Sequence, residues 1–174
     1  GPDLVVGNQF GKTFTVNVDI KGLHQAWYLV GIELRLSYDH NLVQPLSVTE
    51  GPYLGQFPNN PPGEQQTFFI SFNNPGDPVY GDHVLIGDLL LPNATGHWNV
   101  FPGGVWVPPA PIPAAASGTI ATITFAVLKQ SFVDPYNMPL NLLSTVFIDQ
   151  NGANILAAPP VNGMLTILPI STIG

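Results

Sequence analysis

The chain has 174 residues, of which 45% are apolar and only 9% are charged, so it is long enough to form one domain with a substantial core. Four basic and eleven acidic residues give a net charge of −7, which excludes a basic surface for nucleic acid. Cysteine is absent, which excludes disulfides and thiolate metal sites, and no apolar run is long enough for membrane insertion. With so few charges, much of the surface must be uncharged polar, glycosylated or buried against a partner.

Alternation of apolar and polar residues predicts β-strands along most of the chain. In residues 13–20, Phe14, Val16, Val18 and Ile20 would share one face. No window shows a convincing helical period, so we expect an all-β fold. The remaining predicted strands are residues 28–38, 67–72, 84–91, 118–127, 140–148 and 164–167.

Nineteen prolines and eighteen glycines separate these segments and favour turns, which predicts a β-sandwich or barrel. Residues 55–66 and residues 102–117 are the most loop-like, and the second stretch is rich in proline. Trp106, Val107 and Ile112 are apolar for a loop. Two interpretations stand, of which the first is favoured: a surface excursion, or an arm that lies on a neighbouring molecule.

The sequence contains none of the common catalytic motifs, so we expect no enzymatic activity. The four histidines are scattered singly in or near turns, as structural or solvated histidines commonly are. The eleven acidic residues show no spacing that indicates the facing carboxylates of a glycosidase.

Asp77, Asp82 and Asp88 lie close together in a turn-rich stretch, and clusters of oxygen atoms are the ligands that calcium prefers. The alternative is ordinary turn chemistry, in which aspartates accept hydrogen bonds from their own backbone. The spacing matches no EF-hand loop, so turn chemistry is favoured and calcium remains the second interpretation. No cofactor is required by either one.

Asn93, Ala94 and Thr95 form the only N-glycosylation sequon of the chain. The sequon lies in a turn-rich stretch, so we expect Asn93 to face solvent and to be able to carry a glycan. A glycan there would favour an extracellular location.

Five blocks of the sequence, taken in order, resemble a cohesin-type domain, the module of cellulosome scaffoldins with relatives in archaeal and bacterial surface proteins. The resemblance implies a jelly-roll β-sandwich of about nine strands, and it implies a dockerin as one candidate partner. We expect the domain to span residues 1–167. The blocks are residues 11–23, 31–54, 117–127, 147–155 and 162–167.

The chain departs from the cohesin pattern in two places. Residues 73–117 form a longer loop region than is typical, so the dockerin-binding surface is not carried over from the family. Such domains also begin with a strand ahead of the Val5-Val6-Gly7 segment, paired beside the last strand. Here that first strand is predicted to be missing or shortened.

Three functions are compatible with these features. The favoured one is an extracellular structural protein, a subunit of a filament, tube or sheath made of identical subunits. The alternatives are a cohesin that binds a dockerin, and a module that binds polysaccharide. The last would need several exposed aromatic residues on one sheet face, of which Trp27, Trp98 and Trp106 could supply a few. The first accounts together for the low charge, the long apolar loops, the missing first strand and the apolar C-terminal segment.

The C-terminal segment, residues 168–174, suggests how such a filament would polymerise. We expect Leu168, Ile170 and Ile173 to complete the sandwich of the next subunit by donor-strand complementation, which builds open filaments. The other interpretations are that the tail folds back on its own domain, or that it is only the last strand running long.

Overall fold

The computed structural model describes residues 4–6, 11–103, 117–129 and 134–169. These residues form ten β-strands, one short α-helix, α1 (Pro52–Gly55), and one 3-10 turn (Gln25–Trp27). The all-β prediction is therefore confirmed. The strands are β1 (Leu4–Val6), β2 (Thr13–Ile20), β3 (Leu29–Ser37), β4 (Val43–Glu50), β5 (Thr67–Asp77), β6 (Gly81–Leu90), β7 (Gly118–Val127), β8 (Tyr136–Leu140), β9 (Leu142–Asp149) and β10 (Gly163–Ile167).

The strands form three sheets around a common core, in a jelly-roll sandwich as predicted. A four-stranded antiparallel sheet has the order β5-β6-β3-β9, and two three-stranded sheets have the orders β2-β7-β4 and β1-β10-β8. All three sheets contribute buried side chains to one apolar cluster. The described helical segments include none that is long and apolar enough to cross a membrane.

Buried and exposed side chains alternate along β3 and β7, each of which pairs with a strand on both sides. Ile32, Leu34 and Leu36 are buried on the inner side of β3, while Glu33 between them is exposed. On β7, Ile123 and Phe125 are completely buried in the same way. Burying a side chain of this size contributes roughly 1.5–3 kcal/mol, so these two strands supply much of the core.

The predicted long loop over residues 73–117 is wrong in its first half. Residues 73–77 continue β5, and β6 pairs with β5 from Thr67↔Leu90 to Asp77↔Gly81. A short turn at residues 78–80 joins the two strands, so this region is a hairpin rather than an inserted loop. Residues 56–66 contain no helix or strand, in agreement with the loop predicted there.

The first strand is short but it is not missing. Residues 4–6 of β1 pair in parallel with residues 165–167 of β10, beside the last strand. The Leu4-Val5-Val6 segment itself forms this strand, so the first strand is shortened rather than missing. A missing first strand is therefore no longer a reason for expecting an exchanged strand.

Candidate functional site

The outer side of the four-stranded sheet carries a row of exposed apolar side chains. On β5, Phe68 is 52% exposed, Ile70 is 38% exposed and Phe72 is 60% exposed. Phe69, on the opposite side of the same strand, packs against the core. The strand therefore turns its more apolar side outward, the reverse of the usual arrangement in a half-buried sheet.

Strand register extends this row across the sheet. Phe68 lies opposite Leu89, and Leu89 lies opposite Gly31. Gly31 in turn lies opposite Ile148 on β9. We call the surface formed by Gly31, Phe68, Ile70, Phe72, Leu85, Gly87, Leu89, Val146 and Ile148 the apolar face.

Two glycines give the apolar face a shallow depression. A Cβ atom on Gly31 would lie 2.6 Å from Cγ1 of Ile148, and one on Gly87 would lie 3.0 Å from Cγ1 of Ile70. The isoleucine side chains therefore lean over the two glycines and occupy the space that larger residues would fill. Phe68, Leu89 and Val146 also line this depression, together with the charged residue Glu33, which lies opposite Gly87.

One end of the apolar face is bordered by polar and aromatic groups. The Arg35 guanidinium lies 4.6 Å from the centre of the Tyr80 ring, and its Nη1 is 3.1 Å from Oε1 of Glu33. Asn74 donates a 3.0 Å hydrogen bond to Asp77. An apolar centre with a polar edge is the usual anatomy of a protein–protein interface.

Asp77 and Asp82 lie at the turn between β5 and β6 and accept backbone hydrogen bonds. Oδ1 of Asp77 accepts from the amides of Val79 and Tyr80, each at 2.8 Å. These two bonds, with Tyr80 first, hold the pKa of Asp77 below its usual value. Asp82 accepts from the amide of Gly76 at 2.8 Å. Both aspartates therefore accept hydrogen bonds from backbone amides of the turn, as the favoured interpretation expects.

Asp88 does not join the other two aspartates. It follows Asp82 by six residues on the same strand, which places the two roughly 20 Å apart, whereas calcium ligands lie at about 2.3–2.6 Å from the ion. One calcium ion therefore cannot bind all of Asp77, Asp82 and Asp88. The prediction of Asp88 as a ligand of that ion is wrong. Calcium binding by Asp77 or Asp82 stays a prediction.

His40 is a neighbour of Asp82 that the sequence did not indicate. Its Nδ1 lies 2.6 Å from Oδ2 of Asp82, and its backbone amide donates to the same oxygen at 2.9 Å. Asp39 brings a second carboxylate to this exposed cluster. The contacts join the β3–β4 connection to the start of β6.

Asn93 is half-buried, and its Oδ1 atom organises a turn. It accepts hydrogen bonds from the amides of Thr95 and His97, each at 3.0 Å, and from the hydroxyl of Thr95 at 2.7 Å. Thr95 is exposed. Glycosylation of Asn93 stays a prediction.

The remaining predicted interface residues are only partly covered. Leu168 follows β10 directly and is 44% exposed. Ile170 and Ile173 of the tail lie outside the described residues, as do Trp106, Val107 and Ile112 of the proposed arm. Trp98, one candidate for sugar stacking, packs beside Leu90 and donates its indole N–H to the Leu90 carbonyl at 2.8 Å. Polysaccharide binding stays a prediction.

Comparison with known proteins confirms the resemblance to cohesin-type domains. The cohesin domain model matches residues 3–81 of the chain. No curated protein sequence matches.

Solved cohesin structures share the fold over nearly the whole chain. A non-cellulosomal cohesin from Archaeoglobus fulgidus has a TM-score of 0.59 at 17% identity, covering 95% of this chain and 87% of that one. The Coh-OlpC-Doc435 cohesin–dockerin complex from Clostridium thermocellum gives 0.61 at 15% identity, with 95% and 90% covered. A type II cohesin from the cellulosome of Acetivibrio cellulolyticus gives 0.58 at 16% identity, with the same coverage.

Proposed function

We propose that this chain, which has the cohesin fold, is a non-catalytic extracellular module that binds a dockerin-type partner through the apolar face. The observation that carries the proposal is the row of Phe68, Ile70 and Phe72, exposed by 38–60% on the outer side of the four-stranded sheet. Large apolar side chains that are contiguous and exposed mark interaction sites on soluble proteins.

The shape of the apolar face suits a protein partner. The depression between Phe68, Leu89 and Ile148 can seat an apolar side chain of the partner. Phe72 lies further along the same side of β5, and aromatic side chains are enriched at protein–protein interfaces. Glu33 offers a polar contact inside the depression, and Arg35 and Asn74 offer polar contacts beside Phe72.

A dockerin is the partner class that the comparisons favour. Cohesins of this fold from Clostridium thermocellum are described in complexes with dockerins. These cohesins are only 15–18% identical to this chain, so they support a dockerin as the class of partner. The contacts proposed for the apolar face rest on this chain's own residues.

Binding to an immobilised panel of dockerin domains, including those encoded by the source organism, tests the proposal. The double variant Phe68→Ser/Phe72→Ser is expected to bind at least about 100-fold more weakly than the unmodified chain, because the two exposed aromatic residues of the apolar face are lost. Leu46→Ser is the matched control, since Leu46 is 53% exposed on β4 of another sheet. Equal binding by the double variant, or no binding to any dockerin at micromolar concentration, contradicts the proposal.

Self-assembly through residues 168–174 is the second candidate function. Leu168 is 44% exposed directly after β10, and Met164 on β10 is 37% exposed, so an apolar strip reaches the tail. Because β1 already pairs with residues 165–167, an incoming strand would have to displace β1 or extend beyond it. Deleting residues 168–174 and imaging by negative stain is the test. Filaments that persist after the deletion exclude this route.

A further inference from the structure

Asp88 is a buried acid whose carboxyl oxygens meet no side-chain donor among the described residues. It lies on the inner side of β6, between Gly87 and Leu89 of the apolar face, and only 3% of its surface is exposed. The backbone amide of Leu89 favours the ionised form of Asp88, but burial outweighs it. An ionised carboxylate left in this state would be strongly destabilising, so the site must neutralise it in another way.

The neighbour of Asp88 is a second acid from another sheet. Glu50 is the last residue of β4, and it is bonded to Thr67, which lies opposite Leu90, two positions from Asp88 along the inner side of β6. This places the Glu50 side chain beside Asp88, where its charge raises the pKa of Asp88. The hydroxyl of Thr67, at the start of β5, donates to Oε1 of Glu50. Two carboxylate oxygens are both acceptors, so they can bond only if a proton lies between them.

We infer that Asp88 holds a proton at neutral pH and donates it in a hydrogen bond to Glu50, and that this proton-binding site joins the four-stranded sheet to the β2-β7-β4 sheet. The proton turns a repulsive contact into a hydrogen bond between β6 and β4. Thr67 fixes the orientation of the Glu50 carboxyl from the edge strand β5. The two layers of the sandwich are thereby linked at one edge.

The surroundings contain little else to neutralise the pair. β5 presents Phe69 opposite Asp88, and β3 presents Ile32 opposite Asp88 on the other side. The nearby helix α1 contributes Tyr53, whose pKa is raised by burial to about 12, so it remains uncharged. Burial first, and then the charge of Glu50, raises the pKa of Asp88 to about 8.

The raised pKa makes the stability of the fold depend on pH. An unfolded aspartate has a pKa of about 3.9, so between about pH 4 and pH 8 the folded chain holds a proton that the unfolded chain has released. Stability therefore falls as the pH rises through this window. Above it, Asp88 is ionised in a buried site and no longer donates to Glu50, so the contact between β4 and β6 is weakened.

Thermal unfolding from pH 5 to pH 9 tests the inference without any binding partner. The melting temperature of the unmodified chain is expected to fall by about 10 °C over this range. Asp88→Asn supplies a permanent donor to Glu50, so this variant should lose at least half of the fall and melt higher than the unmodified chain at pH 8. Glu64→Gln, at an exposed acid, is the control and should keep the full fall.

Infrared spectroscopy of the unmodified chain keeps the inference testable if Asp88→Asn does not fold. A protonated carboxyl band present at pH 6 and lost with a midpoint near pH 8 supports the proton on Asp88. A band that is absent throughout overturns it. So does a full pH dependence in Asp88→Asn. A melting temperature at pH 8 that rises with added calcium or manganese, in the unmodified chain but not in Asp88→Asn, would overturn it as well, by identifying a cation instead.

Discussion

The outer sides of the two sheets that face each other across the core differ in how they meet water. On the β2-β7-β4 sheet, Thr15 lies opposite Thr124 and Asn17 lies opposite Thr122. The Thr122 hydroxyl donates to Asn17 at 2.9 Å, and the Thr119 hydroxyl donates to Asp19 at 2.7 Å. On the four-stranded sheet, the corresponding positions carry Phe68, Ile70, Phe72 and other apolar side chains.

The difference shows how a chain with 9% charged residues can still keep a hydrated surface. Hydroxyl and amide groups paired across strands satisfy one another and also bond to water, so the polar side needs few charges. Among the exposed apolar side chains of the sheets, Phe68, Ile70 and Phe72 form a contiguous row on β5, whereas Leu46 on β4 stands apart from them. We therefore expect the polar side to contribute stability without binding, and the apolar face to contribute binding without stability.

Gly31→Val should have the largest effect of the substitutions that test this division. Gly31 is an exception on the apolar face, because it is buried beneath Ile148 and a Cβ there would lie 2.6 Å from Cγ1 of that residue. The displaced isoleucine and strained packing should lower the free energy of unfolding by about 1–3 kcal/mol. The filled depression should also weaken dockerin binding. Urea unfolding and the binding panel measure the two effects.

Gly55→Val is the matched control for Gly31→Val, since nothing lies within 4 Å of a Cβ on Gly55. A Gly31→Val variant with unchanged stability and binding would mean that the depression has no role in either.

The sequence predicted most of the regular strands but missed β1, β4 and β8, and for β4 the physical reason is clear. β2, β3 and β7 were found because their alternation is uninterrupted or nearly so. β4 was overlooked because its pairing with β7 shifts between Pro45 and Ser47, so the inward positions do not keep one period. A bulge of this kind disrupts the pattern on which sequence-based strand prediction depends.

The candidate site was harder to predict from the sequence. A period of two assigns the residues of a strand to two sides of the sheet, but it does not show which side faces the core. Phe68, Ile70 and Phe72 share a face by period two, and composition alone would place that face inside. Asp88 is a case in which a signal was available, since it shares its period with Val84, Ile86 and Leu90, all of them buried. An acid in phase with core residues indicates a buried carboxyl rather than a turn ligand.

Thr122→Val should have a moderate effect on stability and none on binding. The valine keeps the shape and strand preference of threonine but loses the hydrogen bond to Asn17. Because Asn17 is exposed and can bond to water instead, the expected loss is about 0.5–1 kcal/mol in the free energy of unfolding.

A double-mutant cycle with Asn17→Ala isolates the Thr122–Asn17 pair. A coupling energy of about 0.5 kcal/mol is expected for this pair. Weaker dockerin binding by Thr122→Val would contradict the division between the two outer sides.

Phe72→Ser should have the smallest effect on stability, although it removes the largest side chain on its part of the apolar face. Phe72 is already 60% exposed, so folding buries little of it, and the free energy of unfolding should change by less than about 0.5 kcal/mol. Replacing Phe69 on the same strand by serine is the contrast, because Phe69 packs against the core and its loss should be several times more costly. Phe69 and Phe72 are three residues apart and lie on opposite sides of the sheet. Urea unfolding of the two variants therefore compares how much each side of β5 contributes to the stability of the fold. A loss above about 2 kcal/mol in Phe72→Ser would mean that this phenylalanine stabilises the fold. The apolar face would then stabilise the fold, and its exposed side chains would no longer indicate a binding surface.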